Sequence, residues 1–423
     1  MSSARKIALK VLLEIRESAY SNITLNKFLK EADLSVADKS LATACVYGVL
    51  DRTITLDYVL SQHIKTPIKK VHPLALECLR LALYQIMYMD KIPDSAAVNE
   101  AVKLIKNSKQ KHLSGFVNGV LRSILRSEIK LPDGNDTKSL SVKYSCPEWI
   151  VESFISDYGI DDTIALLEYS LLAPSVTIRV NTVNISLESL VDKFNNEGIS
   201  TKKCQLDGAL EIVGGIDVTK SAAYRDGNFH VQDIASQSAV SILNPNSRES
   251  VLDICAAPGG KTFTMAQYMN NKGKIIACDL YEKRVELIAR GAKRLGLKNI
   301  EVCQNDAMII NEKIGGFDAI LCDVPCSGLG VIRRKPEIKY KDIDEYTDIT
   351  QIQSKILENC ATYLNGNGRI LYSTCTLRKC ENEGVINAFL DKHSSFELKY
   401  QHTFMPHKDG SDGFYCALLE KSR

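Results

Sequence analysis

The chain has 423 residues, 45% of them hydrophobic and 25% charged, and a formal net charge of +2 at pH 7. These values are typical of a soluble globular protein of two or three domains, and no apolar run is long enough to span a membrane. The start of the chain lacks the features of a secretory signal, so we expect a cytoplasmic protein. The thirteen cysteines include no Cys-x-x-Cys pair, which argues against a metal site and favours roles in packing or chemistry.

Residues 1–130 are predicted to form an all-α domain. Apolar residues recur at helical spacing, and residues 74–89 are apolar nearly all round, as expected of the central helix of a bundle. Ser35 followed by Asp38 is typical of a helix start. This segment carries 20 Lys and Arg against 12 Asp and Glu, whereas the rest of the chain carries 33 against 39. The basic excess favours a module that binds a polyanion such as RNA, although a solvated helical surface would give the same balance.

Residues 131–230 are predicted to contain a linker and a small α+β module that binds RNA. The polar residues 132–136 are typical of a linker, and Pro147 is placed to open a helix after it. Beyond this helix, strand patterns at residues 175–180 and 209–213 flank a helical pattern at residues 187–197.

Residues 231–423 show alternating strand and helix patterns, which predict a doubly wound, mostly parallel α/β sheet. The strand patterns cover residues 250–254, 274–279, 300–304, 317–323 and 368–373. The helical patterns cover residues 262–269, 282–295 and 347–363. Sheets of this kind bind ligands at the carboxyl ends of their strands, so the residues that follow each strand are candidates for a site.

The loop after the first of these strands favours a nucleoside-containing cofactor. Its sequence is Asp253-Ile-Cys-Ala-Ala-Pro-Gly-Gly-Lys261, in which Gly259 and Gly260 let the backbone approach a ligand closely. Asp279 and Asp306 follow the next two strands, where they could bind the ribose hydroxyls and the adenine amino group of such a cofactor. A tight turn and acids that merely cap helices are the plainer alternatives.

Two cysteines follow the fourth and fifth strands, in Asp323-Val-Pro-Cys326 and Ser373-Thr-Cys375. Both thiols are expected at the same edge of the sheet as the cofactor loop, beside turns that can stabilise a thiolate. Such a pair suits methylation of carbon 5 of cytosine, because a thiolate that adds to carbon 6 makes carbon 5 nucleophilic. An acid can assist the addition, and a second group must then remove the proton from carbon 5. The residues do not themselves decide which thiol attacks, and burial as a small apolar side chain is the alternative for each.

Together these motifs resemble those of the RNA cytosine-5 methyltransferases, most closely the bacterial Sun/Fmu type that modifies small-subunit ribosomal RNA. The most specific segments are residues 257–262, 323–326 and 373–375. Residues 97–101 and 115–122 resemble the NusB-like helical domain with which those enzymes begin. The resemblance implies an all-α NusB-like domain, a small α+β module and a Rossmann-like class I methyltransferase domain.

The resemblance also implies S-adenosylmethionine as the cofactor. Its implied contacts are Cys255, Ala256, Ala257, Pro258, Gly259, Gly260 and Lys261 in the loop, and Asp279, Arg284, Asp306 and Asp323 outside it. Cys375 is implied to be the attacking thiol, Cys326 to assist proton removal or product release, and Asp323 to act on the ring. In the DNA enzymes the cysteine of the Pro-Cys motif attacks instead, so the choice of Cys375 depends on the RNA-family pattern. Cys380 adds a third thiol where relatives often carry an acid or a glutamine.

A base inside a duplex cannot be attacked at its ring face, so the target cytosine must be unpaired or flipped out. We predict that Arg179, Asn181, Arg333 and Arg334 contact the RNA and hold its phosphates near the site. The resemblance favours 16S ribosomal RNA or an assembling small subunit as the substrate. The alternatives are the same chemistry on transfer RNA and a non-catalytic NusB-like RNA-binding factor, although the latter would predict decayed cofactor and thiol motifs.

Overall fold

The computed structural model describes residues 3–16 and 21–422 of the chain. These residues form two compact units. Unit 1 comprises the chain up to Leu171 together with the segment Arg334–Lys341, and unit 2 comprises Leu172–Arg333 together with the chain from Asp342 onward. Within the described residues, no helix has both the length and the apolar character needed to cross a membrane.

Unit 1 is built from helices, as predicted for residues 1–130. They are α1 Ala4–Ile15, α2 Ser21–Glu31, α3 Val36–His63, α4 Pro73–Tyr88, α5 Asp94–Lys106, α6 Ser114–Leu125, α7 Thr137–Tyr144, α8 Glu148–Tyr158 and α9 Ile160–Ser170. Ser35 caps α3 by accepting a hydrogen bond from the amide of Asp38, as the sequence predicted. Helix α4 carries the fully buried side chains of Leu79 and Leu83, so it forms the centre of the bundle.

Helix α7 and the segment Arg334–Lys341 are both fixed to α3. Thr55 of α3 donates a hydrogen bond to the carbonyl of Val142 at 2.6 Å, and Lys339 Nζ donates to the carbonyl of Asp51 at 3.0 Å. Helices α7 to α9 therefore pack within unit 1, although the sequence analysis assigned them to the middle segment. The division into three domains at residues 130 and 230 stays a prediction.

Unit 2 begins with a small α+β module, as predicted. Its elements are β1 Val176–Val180, α10 Leu187–Asn196, β2 Thr201–Lys203, β3 Ala209–Ile212, α11 Ala222–Arg225 and β4 Phe229–Val231. The strands form one antiparallel sheet in the order β2-β3-β1-β4. Leu190 and Phe194 of α10 pack with Ile178 and Leu210 of this sheet, and all four side chains are fully buried. The short strands β2 and β4 were not predicted.

The rest of unit 2 is the predicted doubly wound sheet with its helices. The helices are α12 Ile234–Leu243, α13 Gly260–Tyr268, α14 Glu282–Leu295, α15 Ile349–Tyr363, α16 Glu383–Lys392 and α17 Pro406–Asp409. The strands are β5 Ser250–Asp253, β6 Lys274–Asp279, β7 Ile300–Gln304, β8 Phe317–Asp323, β9 Leu364–Thr374, β10 Phe396–Phe404 and β11 Phe414–Lys421. The sheet order is β10-β11-β9-β8-β5-β6-β7. Strands β5 to β9 pair in parallel, and β11 runs antiparallel to both β9 and β10.

The order of the strands places a ligand site beside β5. Strands β6 and β7 lie on one side of β5, and β8 and β9 lie on the other. Leu252 of β5, Ile320 of β8 and Ile370 of β9 are fully buried in one hydrophobic core cluster. The core therefore fixes these three strands. The carboxyl ends of β5 and β8 flank the switch in strand order, which is where doubly wound sheets bind ligands.

Candidate active site

The loop after β5 carries the predicted cofactor motif and turns sharply into α13. Gly259 has a φ of 108°, and a Cβ at this position would lie 2.4 Å from the ring of Phe263. Only glycine therefore fits here without displacing that ring. Gly260 begins α13, whose first amides have no partner within the helix and suit an anionic group of a ligand.

Asp279, at the end of β6, is joined to this loop. It is 3% exposed, and its Oδ2 accepts a hydrogen bond from the amide of Ala257 at 3.3 Å. Its Oδ1 lies 3.4 Å from the guanidinium of Arg284, which also donates to the carbonyl of Ala257 at 3.1 Å. The structure thus brings together three of the residues predicted to contact the cofactor.

Asp306 lies in the turn after β7 and is half-buried. Its Oδ1 accepts a hydrogen bond from the amide of Met308 at 2.9 Å, so the carboxylate shapes the turn, as in the plainer alternative. The amide of the preceding residue, Asn305, donates to the carbonyl of Asp279 at 3.0 Å. The two acids therefore end neighbouring strands at the same edge of the sheet.

Asp253, at the end of β5, is a site residue that the sequence analysis missed. It is fully buried, and its Oδ2 accepts a hydrogen bond from Thr262 Oγ1 at 2.6 Å. Its Oδ1 has no hydrogen-bond partner among the described residues. Burial raises the pKa of the Asp253 carboxyl to about 7, although the Thr262 hydrogen bond acts in the opposite direction. An acid directly before the glycine-rich loop is the same kind of signal that singled out Asp279.

Asp253, Lys261 and Asp323 line a cleft of about 540 Å³, which we call the cofactor cleft. The other lining residues are Val231, Gln232, Asp233, Ser236, Ala256, Ala257, Pro258 and Gly260. The unpartnered Oδ1 of Asp253 offers a buried acceptor, and the small side chains of the loop leave room beside it. S-adenosylmethionine fits this arrangement, because its ammonium and hydroxyl groups are the donors that such acceptors require.

Asp323, at the end of β8, is fixed at both carboxylate oxygens. Lys261 Nζ donates to its Oδ2 at 2.8 Å, and Ser373 Oγ donates to its Oδ1 at 2.7 Å. Burial lowers the pKa of the Lys261 ammonium, but the attraction of Asp323 and its hydrogen bond, with a contribution from Cys375, more than offset burial, so the pKa is raised. Lys261 is therefore a cation at neutral pH, and its charge acts on both Asp323 and Cys375.

The two predicted thiols lie side by side. Cys326 Sγ and Cys375 Sγ are 3.3 Å apart, and both residues are half-buried. The hydrogen bond to Cys375 and, after it, burial raise the pKa of the Cys326 thiol well above its usual value. Cys326 therefore keeps its proton at neutral pH and can donate it in a hydrogen bond to a thiolate at Cys375.

Backbone and side-chain hydrogen bonds fix the peptide around Cys326. Glu381 is fully buried, and its Oε2 accepts from the amide of Ser327 at 2.9 Å and from Gln353 Nε2 at 3.0 Å. The Gln353 amide group also donates to the carbonyl of Pro325 at 3.0 Å. Glu381 thus holds Ser327 directly and Pro325 through Gln353, on the two sides of Cys326. Sequence analysis missed it because its partner Ser327 is 54 residues away in the chain.

Arg179 and Asn181, which were predicted to contact RNA, are instead buried within unit 2. Arg179 is 6% exposed and donates to Gln267 Oε1 of α13 at 3.3 Å. Asn181 is fully buried and donates to the carbonyl of Leu295 of α14 at 2.8 Å. The prediction is corrected for both residues, because their polar groups join the small α+β module to these helices and are not available to RNA.

The remaining predicted residues occupy different settings. The side chain of Arg333 is only 7% exposed and lies 3.9 Å from Asp412, and its contact with RNA stays a prediction. Arg334 is half-buried and belongs to unit 1, and its contact with RNA stays a prediction. Cys380 is exposed. In the part of the chain that the structure describes, no group of His, Cys, Asp and Glu is arranged to hold a metal ion.

Three family models match successive parts of the chain. Residues 2–126 match the NusB family. Residues 146–219 match the ferredoxin-like domain of RsmF/B-like methyltransferases. Residues 240–420 match the 16S rRNA methyltransferase RsmB/F.

Individual relatives match the chain over its whole length. It is 38% identical to the "Probable ribosomal RNA small subunit methyltransferase B" of Bacillus subtilis over 99% of both chains. It is 33% identical to the protein of the same name from Synechocystis over 100% of both chains. Among solved structures, the crystal structure of PH0851 has a TM-score of 0.86 at 26% identity, covering 99% of this chain and 98% of the other. These matches confirm the predicted fold class, and the chain belongs to the RsmB/F family of 16S ribosomal RNA methyltransferases.

Proposed function

We propose that the chain methylates carbon 5 of a cytosine in 16S ribosomal RNA through a covalent adduct with Cys375. Membership of the family makes the chain a methyltransferase that acts on ribosomal RNA with S-adenosylmethionine as its cofactor. The observation that carries the finer proposal is the 3.3 Å separation of the Cys326 and Cys375 thiols. Methyl transfer to an amine or a hydroxyl requires no thiol, so this pair favours a carbon acceptor that needs covalent activation.

The charges around the pair favour Cys375 as the nucleophile. Cys326 has a raised pKa and keeps its proton, whereas Cys375 interacts with the cation of Lys261. A thiolate at Cys375 is therefore stabilised by the S–H group of Cys326 and by the Lys261 ammonium. Its Sγ forms a bond to carbon 6 of the cytosine, and the electron pair of the carbon 5–carbon 6 double bond moves into the ring.

Asp323 is positioned to assist this addition. Its two oxygens are held by Lys261 and Ser373, so it presents a fixed edge to the pyrimidine. Negative charge that develops at ring nitrogen 3 is neutralised by a proton that Asp323 relays from the Lys261 ammonium. When bound, S-adenosylmethionine supplies the electrophilic methyl group that carbon 5 attacks.

Cys326 becomes a base only after the adduct has formed. The largest cause of its raised pKa is the hydrogen bond to Cys375, and this hydrogen bond to a thiolate is lost when Cys375 Sγ bonds to carbon 6. The pKa of Cys326 then falls, and its thiol releases a proton to solvent. The resulting thiolate removes the proton from carbon 5, the Sγ–carbon 6 bond breaks, and Cys375 leaves as a thiolate. The proton on ring nitrogen 3 returns through Asp323 to the Lys261 amine, which leaves neutral 5-methylcytosine.

Alanine variants of the two cysteines test the adduct with a 16S ribosomal RNA transcript. Cys375→Ala should form no adduct and no 5-methylcytosine. Cys326→Ala should accumulate an adduct that survives a denaturing gel, because release loses a base that contributes about 10²–10⁴-fold. Cys204→Ala, at a half-buried cysteine outside the site, is the matched control and should behave as the wild type. An adduct in Cys375→Ala, or a methyl group that bisulfite mapping and mass spectrometry locate off carbon 5, would overturn the proposal.

We also infer that RNA binding is shared along the chain. Residues 1–130 carry the basic excess and include the match to the NusB family, so they are proposed to supply affinity that falls as salt rises. Residues 131–230 are proposed to bind RNA as well, and residues 231–423 to carry out the methyl transfer.

A further inference from the structure

A second cleft, of about 950 Å³, lies within unit 2 between the small α+β module and α14. We call it the Arg290 cleft. Its lining residues are Thr219, Tyr224, His230, Val231, Pro258, Gly260, Phe263, Leu287, Arg290, Gly291 and Arg294. The described lining therefore contains two arginines and no carboxylate. The mechanism proposed above uses none of the residues that come from α11 and α14.

The floor of the Arg290 cleft is rigid and apolar. The rings of Phe263 and His230 meet edge to face, with centroids 5.6 Å apart, and both residues are buried. A Cβ at Gly291 would lie 2.3 Å from the Phe263 ring, so the absence of a side chain on α14 at this point lets the ring pack beneath it. A preformed floor of this kind binds a flat group at little cost in ordering.

The walls combine a fixed arginine with an exposed one. Arg294 lies over the ring of Tyr224, 3.8 Å from its centroid, and donates to the carbonyl of Phe229 at 3.0 Å. Arg290, one turn earlier on α14, is exposed. Leu287 and Val231 are 43% and 47% exposed, so apolar surface stands beside the positive charge. Cationic and apolar groups in one cleft match a nucleotide, which has an anionic phosphate and a flat apolar face.

The Arg290 cleft adjoins the cofactor cleft. The two share Val231, Pro258 and Gly260 as lining residues. The cofactor cleft in turn is lined by Lys261 and Asp323, which lie at the reacting thiols. A strand of RNA with its target base at those residues would therefore have a neighbouring nucleotide within reach of Arg290.

We propose that the Arg290 cleft holds a nucleotide adjacent to the target cytosine, with Arg290 binding its phosphate and Leu287 and Val231 contacting its base. The inference rests on the proposed function, because it assumes that the target base is presented to Cys375. It gives the chain an RNA contact at the site in place of the buried Arg179 and Asn181. Nucleotides that flank a flipped base are held by such contacts because the unpaired strand must be fixed before the base can react.

The test measures RNA binding separately from chemistry. The probe is a short fluorescent single-stranded RNA that contains one cytosine, bound to the full chain in the absence of cofactor. Arg290→Ala should weaken binding about five- to tenfold and lower the slope of log affinity against log salt by about 0.7, the value for one phosphate contact on a single strand. Lys293→Ala, at an exposed residue of α14 that does not line the cleft, is the matched control and should keep both values. Leu287→Ala should weaken binding without a change in the salt slope.

The outcomes separate this inference from the proposed function. Equal RNA affinity and salt slope for Arg290→Ala and Lys293→Ala would overturn the inference, whatever atom the wild type methylates. An Arg290→Ala variant that loses S-adenosylmethionine affinity but keeps RNA affinity would assign the cleft to the cofactor, which also overturns it. A wild type that makes no 5-methylcytosine, combined with weaker RNA binding by Arg290→Ala, would leave the nucleotide contact intact and refute only the cytosine chemistry.

Discussion

Replacing Glu381 by Gln should release the loop that carries Cys326. The Glu381 carboxylate is fully buried and accepts hydrogen bonds from Ser327, Gln353 and Arg378 at 2.9, 3.0 and 3.2 Å. All three partners are hydrogen-bond donors. In Glu381→Gln the NH₂ group of the glutamine must therefore face at least one donor, and that hydrogen bond is lost. Either orientation also removes the charge that pairs with Arg378.

The expected loss follows from these contacts. A hydrogen bond to a charged group contributes about 1.5–3 kcal/mol. Loss of one of the three, with weakening of the others as the charge is removed, therefore lowers the local stability of the loop by about 2–4 kcal/mol. At about 1.4 kcal/mol per tenfold, the amide of Ser327 should exchange with deuterium about 30- to 700-fold faster. Hydrogen exchange measured by mass spectrometry on peptides that contain Ser327 reports this change in the full chain.

A functional readout distinguishes positioning from general destabilisation. Glu381→Gln should slow release of the RNA adduct and lower kcat, while KM for RNA and affinity for S-adenosylmethionine stay near wild type. Release of the adduct requires the Cys326 thiolate, so its rate should rise with pH. Since the charge of Glu381 contributes to the raised pKa of Cys326, the variant should shift this rise to lower pH. Glu397→Gln, the same change at a residue with a 61% exposed side chain, is the control. Unchanged exchange at Ser327, or equally faster exchange throughout β5 to β9, would refute the reasoning.

Two further predictions concern acids beside the glycine-rich loop. Burial raises the pKa of Asp253 to about 7, above the value of about 3.9 in an unfolded chain, so between these pH values the folded protein binds a proton that the unfolded chain has released. The stability that this proton confers is lost as pH rises from about 4 to 7. Between pH 5 and pH 8 in scanning fluorimetry, the thermal midpoint of Asp253→Asn should therefore fall less than that of the wild type. Parallel curves for the two proteins would contradict this. Asp279→Ala removes the carboxylate that accepts from the amide of Ala257 and pairs with Arg284. In calorimetry this variant should bind S-adenosylmethionine at least about tenfold more weakly, with its RNA affinity unchanged. Unaltered cofactor affinity would show that Asp279 only shapes the loop.

The parallel core of unit 2 was readable from the sequence, whereas its terminal hairpin was not predicted. Strands β6, β7 and β8 have the predicted bounds, because each is a short apolar run between helical patterns. Strand β11 begins with four buried residues, and residues 414–419 form an apolar run, so a signal existed. An alternation of strands and helices predicts parallel strands, so it does not predict that the last two strands run antiparallel. Strand β10, at the edge of the sheet, has no apolar run, but its apolar and polar residues alternate, so a strand signal existed there too.

In the candidate site, too, features set by the order of the elements were predictable, whereas contacts between residues distant in the chain were not. The convergence of the glycine-rich loop, Asp323 and the two thiols at one edge of the sheet was predictable, since the rule that strand ends converge needs only the order of the elements. Arg179 looks in sequence like a solvent-facing cation, but its partner Gln267 lies 88 residues away. Glu381 likewise acquires its role only from Ser327 and Gln353. Contacts between side chains distant in the chain decide whether a polar residue binds a ligand or fixes the fold, and one sequence does not contain them.

The contact between the two thiols is itself a consequence of strand register. In the β8–β9 pair Asp323 stands opposite Ser373, so the chain reaches Cys326 and Cys375 within three residues of the same point. Two backbone hydrogen bonds close the loop around Cys326, from the amide of Val324 to Ser373 and from the amide of Gly330 to Cys375, at 3.1 and 3.0 Å. A slip of one residue in either strand would exchange the side chains that face the two helical layers, which the packing of the core opposes. The apolar pattern that folds the sheet thereby also sets the distance at which one sulfur can donate a proton to the other.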